Sequence, residues 1–107
     1  MSNAGAAAIA ASCRRLRSLC LKGCSVDDSA VLIEIVSRNP GLAMLSLSGV
    51  KGATDEVISC VARECGDIRE IYLSGVPVSS EAVSRFRHLV GHGVQVYGKR
   101  LKAKKVP

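Results

Sequence analysis

Five cysteines (Cys13, Cys20, Cys24, Cys60 and Cys65) and two histidines (His88 and His92) are the residues of this chain best suited to metal or nucleophilic chemistry. Their spacing organises them for neither. A zinc site needs paired Cys or His ligands, and no CxxC occurs. His88 and His92 stand four residues apart, but no glutamate lies between them in an HExxH pattern. Nucleophilic catalysis needs a nucleophile, a base and an orienting group in one pocket. Cys20 is the candidate nucleophile, yet no histidine falls where it could serve that residue. Asp27 and Asp28 are adjacent carboxylates at a helix start, where capping explains them. GATDE, from Gly52, lacks the Lys-Ser/Thr of a phosphate-binding loop. The expectation is a protein that is not an enzyme, with no cofactor, no metal and no small-molecule substrate.

The thiols then read as packing groups. Their number is odd, and the N-terminus lacks the apolar core of a secretory signal. Reduced, mostly buried cysteines in an intracellular protein are expected, with Cys20 alone on an open face. Cytoplasm or nucleus is favoured. The Ala- and Ser-rich start, with no acid before Asp27, also has the composition of a mitochondrial presequence, so a mitochondrial location stays open.

The elements holding these residues must fit 107 residues, the size of one small domain. Hydrophobic residues are 48% and charged residues 22%, enough for a core. Aromatics are only 3%, so the core is aliphatic and no aromatic platform for single-stranded bases is expected. No apolar run approaches the ~18 residues of a membrane span. The +6 net charge is unevenly placed. All nine acids lie within residues 27–81, while both ends are basic. Such ends suit RNA, an anionic membrane surface or an acidic protein.

From Leu16 the chain repeats every 26 residues: LRSLCLKGC, LAMLSLSGV from Leu42, IREIYLSGV from Ile68, then a truncated VQVYG from Val94. Leu16, Leu42, Ile68 and Val94 share one column. Leu19, Leu45 and Ile71 share another, as do Leu21, Leu47 and Leu73, and then Gly23, Gly49 and Gly75. No gap is needed. Each block starts with apolar residues at period two, a short strand, and a glycine turn follows. Asp28, Thr54 and Ser80 come next as helix N-caps. The period then becomes 3.6, with apolar faces Val31/Leu32/Ile35/Val36, Val57/Ile58/Val61/Ala62/Cys65 and Val83/Phe86/Leu89/Val90, the last slightly out of phase. Pro40-Gly41, Gly66, and Gly91 with Gly93 close the helices. One such unit cannot bury its apolar face alone, so neighbours must stack, with a parallel sheet on one side and helices on the other.

At these residues the sequence resembles the leucine-rich repeat family. It is most similar to the cysteine-containing subtype, CxxLxxLxLxxC, found in F-box substrate receptors. CRRLRSLCLKGC, Cys13 to Cys24, matches fully, while Val50 and Val76 replace the last cysteine in later blocks. The leading column reads Cys13, Asn39, Cys65 and Gly91. The resemblance implies an α/β fold, a short solenoid with parallel strands on its concave side and helices on its convex side. A half-repeat cap would span residues 1–15, with Ala6 to Cys13 as its helix. Repeats would follow at 16–41, 42–67 and 68–93, then a terminal strand at 94–98. Residues 99–107 form a basic tail whose lysines would discourage edge-to-edge pairing.

The resemblance also implies that the concave face binds a protein. Between the inward leucines that face carries Ser18, Cys20, Lys22, Met44, Ser46, Ser48, Glu70, Tyr72 and Ser74. Met44 and Tyr72 are its anchors, since Tyr is a frequent hot spot and Met adapts to a partner's shape. The expected role is an interaction scaffold or structural subunit of a multi-subunit complex. The alternatives are a ribonucleoprotein subunit held to RNA by Lys99, Arg100, Lys102, Lys104 and Lys105, and a small mitochondrial assembly factor. A solubilising role for the tail is the competing explanation.

Overall fold

A computed structural model describes residues 2–91 and 93–98. The chain alternates helix and strand: α1 (Asn3–Ser12), β1 (Ser18–Cys20), α2 (Ser29–Arg38), β2 (Met44–Ser46), α3 (Asp55–Glu64), β3 (Glu70–Tyr72), α4 (Ser80–Val90) and β4 (Gln95–Tyr97). The fold is mixed α/β. The strands form one parallel sheet in the order β1-β2-β3-β4, and each helix packs on the next. Leu19, Leu45, Ile71 and Val96 align across the sheet. They pack into one core, aliphatic but for Phe86, with Leu32, Ile35, Val36, Val57, Ile58, Val61 and Val83. Parallel neighbours need a crossover, and α2, α3 and α4 supply the three.

Local chemistry places the helix starts. Asp28 caps α2 by accepting from the Ala30 amide at 3.0 Å, and Ser79 caps α4 by accepting from the Ala82 amide at 3.0 Å. Thr54 occupies the cap of α3 without a side-chain bond, and its buried hydroxyl oxygen lacks a partner among the described residues. The cap of α4 is therefore Ser79 and not Ser80. The turn glycine and the cap are five residues apart at Gly23/Asp28 and Gly49/Thr54, but four apart at Gly75/Ser79. One loop residue is missing from the third block.

That deletion corrects two expectations. Glu70, Ile71 and Tyr72 pair with Gln95, Val96 and Tyr97, an offset of 25 and not 26. A shift of one residue exchanges the faces of a strand, so Val96 takes the inward column and Tyr97 turns to the open face. The same shift brings α4 into phase: Ala82, Val83 and Phe86 are buried, matching Val57, Ile58 and Val61. Leu89, expected in the core, is 60% exposed.

Glycine is required where turns and close approaches occur. Gly23, Gly49 and Gly75 turn at φ of +74°, +78° and +71°, a left-handed region that costs other residues strain. Gly52 is a close approach: a Cβ there would lie 3.0 Å from the Asp27 carbonyl carbon and 3.1 Å from the Asp28 nitrogen. Gly52→Ala should therefore cost about 1–3 kcal/mol by overpacking against backbone. A urea midpoint unchanged by Gly52→Ala would contradict that contact.

The cysteines divide by position. Cys60 and Cys65 are buried, Cys13 and Cys24 half-buried, and Cys20 exposed. Cys13 and Cys24 are more open than expected because they lie in the first block, at the end of the sheet, whereas Val50 and Val76 at the Cys24 column have neighbours and are buried. Burial pushes the Cys65 thiol up to about 11, with Cys60, Glu64 and Asp67 adding to the effect. An unfolded thiol ionises near 9.0. Between these values the unfolded chain has lost the proton that the folded chain keeps, so stability falls as pH rises. The loss should begin near pH 9 and reach about 2–3 kcal/mol by pH 11. Urea titrations of the native protein and Cys65→Ala should diverge in slope over that window, and parallel pH profiles would refute the assignment.

Candidate functional site

The open face of the sheet is built from two rows between the inward residues. Ser18, Met44, Glu70 and Gln95 form one, and Cys20, Ser46, Tyr72 and Tyr97 form the other. Side chains alternate across a strand, so both rows share one face. Beyond the strand ends, Lys22, Ser48 and Ser74 precede the turn glycines, and the Ser74 amide donates to Ser48 Oγ at 3.3 Å.

Of the nine residues expected here, Ser18, Cys20, Lys22 and Ser74 are exposed, and Met44, Ser48, Glu70 and Tyr72 are half-buried. Ser46 departs from expectation: it is 7% exposed. Its short side chain sits between Cys20 and the much larger Tyr72, at the floor of the face.

Tyr97 and Gln95 are the residues that sequence reading missed. Tyr97 is 42% exposed, and its ring stacks on Tyr72 with centroids 4.6 Å apart and planes 15° apart. Stacking of this kind is favourable beyond the area it buries. The aromatic platform judged absent from composition is thus assembled from two of only three aromatic residues. The shorter turn before Ser79 was the available signal.

Glu70 fixes the outer end of the pair. Tyr72 Oη donates to Glu70 Oε1 at 3.0 Å, and this bond, which favours the protonated phenol, is the main cause raising the Tyr72 pKa. The result is a two-ring plate with its polar tip held in place, apolar and nearly flat.

The remaining chemistry lies apart from the plate. Asp27 accepts from Asn3 Nδ2 at 2.7 Å, and the Asp27 and Asp28 amides donate to Asn3 Oδ1 at 3.2 and 3.3 Å. Asp55 accepts from the Ser79 amide at 2.8 Å and the Ser79 hydroxyl at 2.9 Å. These carboxylates join successive units. A cleft of about 240 Å³ beside Gly23, Asp27, Gly49 and Lys51 lies by the turns, off the strands. Among the described residues no three His, Cys, Asp or Glu side chains gather as metal ligands, and no helix is long and apolar enough to cross a membrane. His92 and the expected contacts Lys99, Arg100, Lys102, Lys104 and Lys105 lie outside the described residues. No known protein-family model matches the chain.

Proposed function

We propose that the chain is a short leucine-rich-repeat solenoid acting as a non-enzymatic interaction module, a scaffold or structural subunit that holds a protein partner on the open face of its sheet. The observation that carries this reading is the Tyr72–Tyr97 stack on the open face, with Met44 one strand away. The 26-residue register of β1, β2 and β3 supports the repeat reading, as does the turn glycine recurring at positive φ in each block. Large amphipathic side chains on a rigid platform make interface hot spots because they bury area at small cost in rotamer entropy.

Met44→Ala combined with Tyr72→Ala should leave the fold intact, since neither side chain enters the core, and weaken the main protein partner by at least ~1–2 kcal/mol. Tyr97→Ala should weaken it comparably. The measurement is partner capture from nuclease-treated lysate, followed by affinities for the purified pair. Neutralising Lys102, Lys104 and Lys105 instead reports on phosphate contacts, which would appear as a steep salt dependence. If the tail variant abolishes capture and the tyrosine variants leave it unchanged, the open-face reading fails and the tail is the binding element.

A further inference from the structure

We infer that the outer edge of β1 is a docking site for an acidic, extended segment of a partner protein, which pairs beside Ser18–Cys20 and extends the sheet at its first unit. This surface is separate from the open-face reading, because Tyr72 lies two strands away on β3.

The backbone supplies the first observation. The Arg17 carbonyl accepts from the Met44 amide, and the Leu21 amide donates to the Ser46 carbonyl. In a parallel ladder alternate residues turn their groups to opposite sides. Ser18 and Cys20 therefore direct N–H and C=O away from β2, and no described strand lies there. Helix α1 packs on α2, in the helix layer. Residues 13–17, which lead from α1 into the strand, are all described, and the pairing of Ser2 with Ser25 lies past the turn. Residues 99–107 follow β4, at the opposite end of the sheet. An edge of this kind is a template for strand addition.

The core supplies the second. Leu16, Leu19 and Cys24 pack against the buried cluster but stay half-buried, whereas Leu42, Leu45 and Val50, in the same columns one unit on, are 0%, 1% and 0% exposed. A strand precedes each of α2, α3 and α4, and none among the described residues precedes α1. An added strand would take that place, with an apolar residue laid beside Leu19.

Charge selects the occupant, on the face where the charge would act. Lys22 shares the parity of Ser18 and Cys20, so its exposed side chain leaves on the open face. The next two units carry Ser48 and Ser74 in that column. Arg17, also exposed, stands at the other end of the strand. Neither cation is ion-paired among the described residues, and residues 1–26 hold no acid. Arg14 is already engaged, donating to the Ala10 and Ala11 carbonyls. Two copies meeting at this edge would set Lys22 and Arg17 against like charges. A strand alternating apolar and acidic residues would instead cover Leu19 with its inward side chains and meet Lys22 with its outward ones.

The probe is a fluorescent ten-residue alternating Val–Glu peptide, with a Val–Lys peptide of equal length as its counterpart, titrated into the full chain while amide hydrogen exchange is followed residue by residue. The Val–Glu peptide should bind, with affinity that falls as salt rises, and the Val–Lys peptide should bind about tenfold more weakly. The Ser18 and Cys20 amides have no described acceptor and should exchange quickly in the free chain. Saturating Val–Glu peptide should slow both by about tenfold or more. Lys22→Glu should weaken the Val–Glu peptide about threefold to fivefold and narrow its advantage over the Val–Lys peptide. Tyr72→Ala should change neither affinity nor protection. Absence of Val–Glu binding, equal binding of both peptides, or unchanged binding by Lys22→Glu overturns the proposal. Binding that leaves Ser18 and Cys20 unprotected overturns it too, and gives the peptide to another basic part of the chain. A loss of affinity in Tyr72→Ala would move the peptide onto the open face and overturn the edge. Protection of the two amides by dimerisation of the free chain would make a second copy the occupant and overturn the acidic one.

Discussion

Leu47→Ala should destabilise the fold by about 2–5 kcal/mol, the range for deleting a large buried aliphatic side chain from a packed core. Leu47 is 1% exposed, and its column neighbours Leu21 and Leu73 are 1% and 2% exposed. Its amide donates to the Tyr72 carbonyl at 2.9 Å, so the backbone is pinned and cannot collapse readily into the space left by the side chain. Each apolar column in this fold is one residue wide, which concentrates the loss. Total stabilities of small domains are about 5–15 kcal/mol, so the variant should lose on the order of 10 °C or more in Tm. Leu89→Ala is the matched control. It deletes the same atoms from a side chain that is 60% exposed, and it should change Tm little. Equal effects of the two substitutions would contradict the core as described.

The period of 26 made three strands, their parallel order and their inward columns legible before any coordinates, because Leu19, Leu45 and Ile71 can share a column only if the strands lie in register. The fourth strand was less legible. Val94 falls in the Ile68 column at a period of 26 and Val96 falls in the Ile71 column at a period of 25, so each register places one valine in an apolar column, and periodicity alone does not choose between them. The choice is made by the turn, where the four-residue step from Gly75 to Ser79 removes one residue. The out-of-phase face of α4 was its trace. Because a strand alternates faces, this one residue decided whether Tyr97 belonged to the core side or to the open face. Ser46 illustrates a different limit. Its face follows from alternation, but its 7% exposure follows from the size of Tyr72 beside it, and no pattern along one strand encodes the bulk of the next.

Asn39→Ala should be nearly as damaging, at about 2–4 kcal/mol, and through polar groups rather than cavities. In the column Cys13, Asn39, Cys65 and Gly91, asparagine first reads as a departure from the repeat. In the fold it is fully buried, and it uses both ends of its amide. Its Oδ1 accepts from the Leu16 amide at 2.9 Å, while Nδ2 donates to the Ile35 carbonyl at 2.8 Å and the Cys13 carbonyl at 3.1 Å. Cys65 repeats the pattern weakly one unit on, its thiol donating to the Asn39 carbonyl at 3.7 Å and the Val36 carbonyl at 3.9 Å. Asn39 and Cys65, the C-caps of α2 and α3, thus each tie the end of a helix to the same point of the preceding unit, and asparagine is the stronger form of that tie. Alanine would strand a buried N–H and two carbonyls, and such groups cost free energy once desolvated and unpaired. Cysteine should be milder, because its thiol can still donate as Cys65 does. Aspartate should be worst at neutral pH, since it keeps the acceptor but aims a negative charge at two carbonyl oxygens. Its deficit should shrink as pH falls, because a protonated carboxyl regains one donor. Urea unfolding of Asn39→Cys, Asn39→Ala and Asn39→Asp should rank in that order of increasing loss. An Asn39→Ala variant within ~0.5 kcal/mol of the native protein would place it among ordinary surface changes and show that the column does not depend on this amide.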